Sequence, residues 1–499
     1  MKNPQPHWLS LDKKALRAWQ LLKLRRYLGD VVLPFSPHYR ELYKEGSIRP
    51  ERLRYYSDLE RIPFSSKEDL LKNARAFVIT PDEGVLKRRP SNILRALAWG
   101  RGVVKEELER EFRPLMMTST TGRSTEPAAF IYTGHDIRTL SVAGARVMRI
   151  CGARREMRML NMFPFAPHLA FWQTHYAGTE FGVFMVSSGG GKGLGTEGNL
   201  RLMRKIDPDA LIGMPTFIYH VLRAAADSGM HCPKLCKIVL GGEKAPVGMR
   251  RRLRALAAEL GAGTVDVLPT YGFTEAKMAW AQCPCENPQE SSGYHLNPDL
   301  GIVEVIDPAT GEQVGEGEPG EIVWTPLEAR GSVVLRYRTG DIVSGGLVYG
   351  KCPHCGRNMP RLRGEISRTS EIREMRLEKL KGTLVDFNRL EHVLDDCDQV
   401  ATWQLEIRKA HNDPLDLDEL ILHVQKANGE SDEAVRAILD ERFLAETETH
   451  PNSIFFHSDE ELRRMQGVGA MLKEQRVVDH RPQAGATAPE LTLQQPTHA

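Results

Sequence analysis

The most constraining stretch of this 499-residue chain is a run in which two short apolar segments flank a basic amphipathic one. From Cys236 it reads CKIVLGGEKAPVGMRRRLRALAAELGAGTVDVLPTYGFTE. We expect a strand at Lys237 to Leu240, then a helix, then a second strand at Val265 to Leu268, which together form a βαβ unit. Parallel strands bring their carboxyl ends to one edge of a sheet. The sequence therefore predicts an α/β fold whose ligands gather where these strands end.

The same alternation of apolar and amphipathic segments extends from Leu115 to about residue 360. We predict a helical segment at 1–100, because apolar residues in KKALRAWQLLKLRRYL recur at three- and four-residue spacing. The core of the large domain is predicted at 101–366 and a smaller domain at 367–481. The polar, aperiodic segment 482–499 is predicted to be disordered.

Charge and hydropathy exclude several functional classes. Lys+Arg 67 against Asp+Glu 65 leaves a net charge of +2, without the clustered basic excess typical of nucleic-acid binding. No apolar run approaches the roughly 18 to 20 residues of a membrane span. The start, MKNPQPHWLS, has no apolar signal core. We expect a cytoplasmic protein without nucleic-acid or membrane partners.

Four short motifs carry the candidate chemistry. MMTSTTGRSTEP, from Met116, combines hydroxyl groups with a glycine, as a phosphate-binding loop can, although it lacks the Walker spacing. YGFTE, LRYRTGD and LKEQRVVD follow it along the chain. Taken singly, each has an ordinary alternative: a polar loop, a strand-to-helix turn, a surface ion pair or an exposed lysine.

Taken in order, the four motifs resemble the adenylate-forming superfamily of acyl-CoA synthetases and adenylation domains. Further stretches are similar to its phenylacetate–coenzyme A ligase branch: HYRELYKEGSIRPERLRYYSDLERIPFSSKEDLL, FIYTGHDI, GIVEVIDPATGEQVGEGEPGEIVWTPL and CPHCGRNMPRL. The resemblance covers about residues 35 to 481. It implies a large N-terminal multi-layer α/β domain and a small, mobile C-terminal α+β lid domain.

The resemblance also implies a reaction and roles for particular residues. A carboxylic acid and ATP would give an acyl-adenylate and pyrophosphate, and the acyl group would then pass to coenzyme A. Glu275 would hold Mg²⁺ and Asp341 would accept hydrogen bonds from the ribose hydroxyls. The residues expected around the phosphates are Thr118, Ser119, Thr120, Thr121, Gly122 and Arg123. Those expected around the rest of the nucleotide are Gly242, Glu243, Tyr271, Gly272 and Thr274.

Two cations are implied to take part in catalysis. Lys473, three residues before Arg476, matches the lysine that a lid delivers to the carboxylate and the α-phosphate. Arg368 matches the arginine at the start of the lid. His168 and Trp172 lie in an aromatic segment that would border the acyl pocket.

The chain departs from the superfamily pattern at three places. In the phosphate loop, Thr120 replaces a glycine and Arg123 replaces a lysine, which keeps the positive charge. The lid begins with SRTSE from Ser367 instead of the usual G-R-x-D-D, and Leu472 stands where glycine usually precedes the catalytic lysine.

Cysteine spacing predicts a structural zinc site. Cys352 and Cys355 form a C-x-x-C knuckle with zinc-ligand spacing, and CPCENPQESSGYH supplies further ligands upstream. We favour Cys285 and His295 as the other two, with Cys283 as the alternate to Cys285. Reduced thiols in a core are the ordinary alternative.

Two rival functions stay open at this point. The acyl group could pass to a carrier-protein thiol, an amine or a partner enzyme instead of coenzyme A. Alternatively, the chain could be a non-catalytic, zinc-stapled binding or scaffold protein derived from this fold. Neither the acid nor the oligomeric state follows from the sequence.

Overall fold

The computed structural model describes residues 7–119, 128–285, 291–368, 372–377, 380–410, 417–427, 429–447, 450–468 and 474–481. The chain divides into two compact units, Met1–Ser370 and Glu371–Ala499. The predicted disordered segment 482–499 lies outside the described residues. Within the described part of the chain, no helix is long and apolar enough to cross a membrane.

The amino-terminal part of the first unit is helical. Capping groups start several of its helices; for example, the Asp12 side chain accepts the N–H of Ala15 at 2.8 Å. The α-helices are α1 Lys13–Tyr27, α2 Leu33–Phe35, α3 Pro37–Glu45, α4 Lys67–Lys72, α5 Glu83–Arg88, α6 Pro90–Trp99 and α7 Arg101–Phe112. Shorter turns are the 3₁₀ segments His7–Ser10, Pro50–Arg52, Tyr56–Arg61 and Ala74–Phe77, and the π-helical segment Leu28–Val32.

A six-stranded sheet forms the centre of the first unit. Its strands are β3 Arg158–Asn161, β4 Phe184–Ser187, β5 Ala210–Gly213, β6 Lys237–Leu240, β7 Asp266–Phe273 and β8 Met278–Ala281. The order is β4-β3-β5-β6-β7-β8; the first five strands are parallel and β8 is antiparallel. The connecting helices are α9 Leu169–Phe181, α10 Gly190–Ile206, α11 Pro215–Asp227 and α12 Val247–Glu259.

An antiparallel hairpin and a long helix precede this sheet. Strands β1 (Pro114–Ser119) and β2 (Ala129–Thr133) pair with each other, and α8 (Gly134–Ile150) follows directly. Helices α8 and α9 pack closely: a Cβ added at Gly144 would lie 2.6 Å from the Ala177 Cβ. This glycine is required by the close approach of two helices.

The predicted βαβ unit is present, with one difference in strand length. Strand β6 has the expected bounds, but β7 continues through Phe273, where we expected a loop. The extra residues pair with β8, with Tyr271 opposite Trp280 and Gly272 opposite Ala279. The sequence misses this extension because the ladder depends on a partner strand, not on local apolar character.

Two smaller sheets complete the first unit. The first has the order β10-β11-β12-β15 and the second β13-β14-β9. Their strands are β9 Tyr294–His295, β10 Gly301–Ile306, β11 Gly320–Pro326, β12 Tyr337–Val343, β13 Leu347–Val348, β14 Arg361–Leu362 and β15 Ile366–Arg368.

The second unit has its own core under a mixed sheet. Its buried centre includes Trp403, whose indole N–H donates to Asp395 at 2.9 Å. The four-stranded sheet has the order β20-β19-β18-β21, and β16 pairs with β17. The elements are β16 Ile372–Leu377, β17 Leu380–Asp386, α13 Phe387–Asp395, β18 Val400–Lys409, β19 Asp418–Lys426, α14 Asp432–Thr447, β20 Ser453–Phe456, α15 Asp459–Gln466 and β21 Val477–Asp479.

Candidate active site

The carboxyl ends of β6 and β7 carry two of the predicted segments to one edge of the parallel sheet. Gly241–Gly242–Glu243 follows β6, and a 3₁₀ turn at Thr274–Ala276 follows β7. Polar groups at such an edge can face a common ligand, because they leave the sheet on the same side.

The segment after β6 is shaped by a glycine and a carboxylate. Gly242 has φ +82°, a left-handed conformation that side-chain-bearing residues rarely adopt. The Glu243 carboxylate accepts a hydrogen bond from the Thr216 hydroxyl at 2.5 Å. Thr216 is the second residue of α11, which follows β5, so a third strand end contributes to this edge. We missed Thr216 from the sequence, although its hydroxyl directly follows an apolar strand and a proline.

Asp341 is brought against Tyr271 and Arg368, three residues that were predicted separately. The Tyr271 hydroxyl donates to Oδ2 at 2.8 Å, and the Arg368 Nε lies 3.2 Å from Oδ1. Asp341 lies in β12, opposite Arg368 of β15. Burial raises the pKa of Tyr271 well above its ordinary value, so its phenol stays protonated as a donor. The arrangement offers a carboxylate held in place from two sides.

Glu275 lies in the turn after β7 and accepts a hydrogen bond from Tyr337 at 2.7 Å. Burial raises the pKa of Glu275, and the Tyr337 hydroxyl acts in the opposite direction. Tyr337 belongs to the RYRTGD motif, but we assigned it no role. The glycine before this turn is sterically required, since a Cβ at Gly272 would lie 2.4 Å from the Ala279 Cβ.

The phosphate-loop residues are described only as far as Ser119. Thr120, Thr121, Gly122 and Arg123 lie outside the described residues. Thr118 is fully buried, and its hydroxyl donates to the Tyr132 hydroxyl at 3.3 Å. The Ser119 N–H donates to the Pro167 carbonyl at 2.7 Å. The stem of the segment is therefore fixed to the chain just before α9.

The aromatic segment predicted to border the acyl pocket lies beside this stem. His168 Nδ1 is 3.4 Å from the Ser119 carbonyl oxygen. Trp172, one turn into α9, has ring centroids of Phe165 and Phe171 at 5.8 Å and 5.4 Å. An apolar, aromatic surface thus lies next to the segment predicted to bind phosphate.

The predicted catalytic lysine, Lys473, lies outside the described residues. Its motif partner Arg476 is described within the second unit. Arg476 Nη2 is 3.0 Å from Asp395 Oδ1, and the guanidinium lies 4.3 Å from the Trp403 ring centroid. The residues that follow Lys473 are thus tied to the core of that unit.

Three cysteines and a histidine converge at the far end of β8. The ligand atoms of Cys283, His295, Cys352 and Cys355 all lie within 4.8 Å of one another. The Sγ atoms of Cys283 and Cys352 are 3.8 Å apart, and Cys355 Sγ is 3.3 Å from His295 Nε2. Tetrahedral zinc with Zn–S bonds of about 2.3 Å requires sulfurs about 3.8 Å apart, so the spacing fits this metal.

Neighbouring groups prepare these side chains as ligands. His295 Nδ1 lies 3.3 Å from the Ala281 carbonyl, which leaves Nε2 directed at the sulfurs. A hydrogen bond from the Cys283 thiol lowers the pKa of Cys355, with His295 adding to it against the effect of burial. The thiolate is the form that binds metal.

Cys283 replaces Cys285, the ligand we preferred from the sequence. The Cys285 Sγ donates to the Cys283 carbonyl at 3.6 Å, and Cys285 is not one of the four converging residues. The reason is local: the Cys283 N–H donates to the Ser292 hydroxyl at 2.9 Å, which fixes its backbone beside His295. Cysteine spacing alone does not separate two positions that differ by two residues.

Comparisons with known proteins point to one class of enzyme. The family model described as AMP-binding enzyme matches residues 94–327, just under half of the chain. The curated relatives that the chain resembles are phenylacetate-coenzyme A ligases.

Two relatives and one solved structure show how near the resemblance is. The phenylacetate-coenzyme A ligase of Thermus thermophilus is 26% identical over 370 residues, 74% of each chain. The enzyme of the same name from Aromatoleum evansii is 26% identical over 395 residues, 77% of this chain and 79% of that one. A 2-hydroxyisobutyryl-CoA ligase crystallised with 2-HIB-AMP superposes with TM-score 0.73 at 20% identity, covering 93% of this chain and 89% of that chain. The last likeness shows a shared fold.

Proposed function

We propose that this protein is an AMP-forming acid–coenzyme A ligase. It activates a carboxylic acid with ATP to an acyl-adenylate, releasing pyrophosphate, and then transfers the acyl group to the coenzyme A thiol, releasing AMP. The observation that carries this proposal is that Asp341 and Glu275 each accept a hydrogen bond from a tyrosine hydroxyl beside the carboxyl edge of a parallel sheet, near enough to act on each other electrostatically. The similarity of the chain to AMP-binding enzymes and to phenylacetate-coenzyme A ligases supports the proposal.

The nucleotide end of the site is assigned to two fixed carboxylates. Asp341, held by Tyr271 and Arg368, accepts hydrogen bonds from the ribose diol in a fixed direction. Glu275 holds Mg²⁺, which neutralises charge between phosphates when it is bound. The half-buried Glu275 carboxylate suits a hard cation, because a bound positive charge stabilises an anion that has lost part of its hydration. The hydroxyls of Thr118, Ser119, Thr120 and Thr121 and the charge of Arg123 are assigned to the phosphates.

The second set of assignments concerns the reacting carboxylate. Lys473 brings a positive charge to the acid and the α-phosphate, which offsets repulsion between two anions as the new bond forms. The aromatic wall of Phe165, Phe171 and Trp172 holds the body of the acid. An aromatic acid fits such a wall through ring contacts.

The cysteine–histidine cluster is assigned to structural zinc. A Cys₃His set has no open coordination position once all four residues bind, so it fixes the fold and takes no part in the chemistry. The ligands are Cys283, His295, Cys352 and Cys355. Metal analysis of the purified protein should give about one zinc per chain. A content near zero in protein purified without chelators contradicts the assignment.

The decisive experiment is acid-dependent exchange of pyrophosphate into ATP across a panel of aryl and acyl carboxylates, with and without coenzyme A. Exchange with at least one acid, and thioester formation when coenzyme A is added, supports the proposal. Exchange without a thioester favours transfer to a carrier-protein thiol or an amine. The absence of exchange with every acid favours the non-catalytic scaffold and defeats the proposal.

A cytoplasmic location stays a prediction from the sequence.

The role of Lys473 has its own test. Lys473→Ala should lower the exchange rate by about 100-fold or more, because an electrostatic contact made in the transition state is lost. Lys426→Ala is the matched control: it removes a lysine of the same unit that binds Asp432. Equal exchange rates in the two variants would show that Lys473 is not the catalytic lysine.

A further inference from the structure

A buried lysine lies two residues after Glu275. Lys277 is 5% exposed and has φ +57°, a left-handed conformation uncommon for a side-chain-bearing residue. Its N–H donates to the Thr274 carbonyl at 3.0 Å and closes the 3₁₀ turn that carries Glu275. The Lys277 backbone therefore determines where that turn ends.

The lysine side chain binds a carboxylate that is itself held from several directions. Lys277 Nζ lies 3.0 Å from Asp136 Oδ2, and both side chains are almost fully buried. The same carboxylate accepts the N–H groups of Thr133, Arg330 and Gly331 at 3.0, 2.9 and 2.8 Å. Burial opposes ionisation of Asp136, but Lys277 and the backbone donors outweigh it and lower its pKa. The pair is a fixed anchor between the start of α8 and the chain before β12.

The lysine also contacts Tyr132 of β2. Lys277 Nζ lies 5.0 Å from the ring centroid of this tyrosine, within the range of a cation–π contact. The hydroxyl of that tyrosine accepts a hydrogen bond from Thr118 at 3.3 Å. One buried ammonium thus connects the turn bearing Glu275 to the strand bearing Thr118.

We propose that Lys277 is a positioning residue for adenylation: held by Asp136 and covered by Tyr132, it fixes the Glu275 turn relative to the Thr118 strand. This inference rests on the proposed function, because the relative position of the Glu275 turn and the Thr118 strand matters for catalysis only if the protein adenylates an acid. Metal and phosphate must be held in one geometry for in-line transfer, and misplacement by about 1 Å can cost about 100-fold in rate.

A purely structural ion pair is the alternative, and the chain contains a matched example. Lys237 Nζ lies 2.8 Å from Asp266 Oδ2, and the Lys237 side chain is only 9% exposed. This pair lies at the amino ends of β6 and β7, the opposite edge of the same sheet. Lys237→Met therefore removes a buried ammonium without touching the candidate site.

The test measures ATP–pyrophosphate exchange as a function of Mg²⁺ concentration for Lys277→Met, Lys277→Arg and Lys237→Met. Lys277→Met should lower the rate by about 100-fold and raise the Mg²⁺ concentration needed for half-maximal rate. Lys277→Arg should restore part of the exchange rate and part of the wild-type Mg²⁺ requirement, because the positive charge is kept. Lys237→Met should keep the wild-type Mg²⁺ requirement. If Lys277→Met and Lys237→Met behave alike, the positioning role is wrong.

A second variant covers the case in which Lys277→Met does not fold. Tyr132→Phe keeps the ring over Lys277 and removes only the hydroxyl that binds Thr118. We expect the KM for MgATP to rise about fivefold, the worth of one ordinary hydrogen bond. An unchanged KM contradicts the proposed connection. A wild-type protein without exchange activity defeats the proposed function, whereas an active wild type with unaffected Lys277 and Tyr132 variants defeats this inference alone.

Discussion

The two ends of the β7–β8 ribbon use buried polar groups in different ways. At the turn between the strands, Glu275 is a single carboxylate whose burial raises its pKa and which has the Tyr337 hydroxyl as a neutral partner. Beyond the other end of β8, Cys283 lies among three further metal-ligand side chains. On the assignments proposed above, the first end serves catalysis and the second serves stability, so that one ribbon separates the two roles.

The largest effect should come from removing one side chain of the cysteine–histidine cluster. Cys283→Ser should weaken zinc binding by more than about 100-fold, since even the loss of an outer partner of a zinc ligand costs up to that factor. Cys285→Ser, two residues away, should retain about one zinc per chain. Both are measured by metal analysis after dialysis against a weak chelator. Loss of zinc in Cys285→Ser instead would reverse the assignment of the ligand.

The next largest effect should come from changing Asp341, the carboxylate that binds Tyr271 and Arg368. Asp341→Asn keeps the shape but removes the charge that accepts the ribose hydroxyls. We expect kcat/KM for ATP to fall about 100-fold, within the range for charged hydrogen bonds. Asp307→Asn, which changes a carboxylate that caps a surface turn, is the control. A fall of similar size in the control would point to a general loss of structure.

A smaller effect should separate stability from activity at Glu275. Its pKa is raised in the folded protein, so the ionised form is disfavoured there, and this destabilisation grows as pH rises above the unfolded-state pKa. Glu275→Gln should therefore raise the free energy of unfolding at pH 7, by on the order of 1 kcal/mol as for other stabilising changes at active sites, while adenylation falls. The gain should vanish below about pH 4, where both states carry a neutral group. Denaturant unfolding without Mg²⁺ at the two pH values measures it, and a less stable variant at pH 7 would contradict the comparison.

The smallest effect should come from Tyr337→Phe. The Tyr337 hydroxyl lowers the pKa of Glu275 against the effect of burial, so its removal raises that pKa further. Mg²⁺ binding needs the ionised carboxylate, and the ascending limb of the pH profile of kcat/KM for MgATP should move to higher pH. Towards the alkaline end of the profile the variant should approach the wild-type rate, because the carboxylate is then ionised in both proteins. An unmoved limb would show that Glu275 does not control the acid side of the profile.

The sequence predicted the elements whose pattern is local and missed those that depend on partners. The strand at Lys237 to Leu240 was found because a short apolar run before a glycine turn defines it, and all four of its residues are buried in the structure. The continuation of β7 through Phe273 was not found, because its ladder requires β8. The Tyr337 and Lys277 contacts were missed for a related reason: each joins a residue to one far along the chain.

The candidate site shows the same division. Asp341 and Glu275 stand in motifs whose residue order is readable, and the structure supplies their tyrosine partners. Asp136 had a readable signal that we did not use, the Thr133-x-x-Asp136 capping box before an apolar helix. The choice of Cys283 over Cys285 required coordinates, since both lie on the same short segment.

The cysteine–histidine cluster also determines when the ribbon can be completed during synthesis. Cys283 and Cys352 are 69 residues apart, so the Sγ atoms cannot meet until most of the first unit has left the ribosome. A chain elongates at about 5–20 residues per second, so the β7–β8 ribbon waits several seconds for its far-end partners. During this interval β8 is an edge strand without the loop that later closes against it. The proposed zinc assignment thus implies that the supply of metal during translation affects the yield of folded protein.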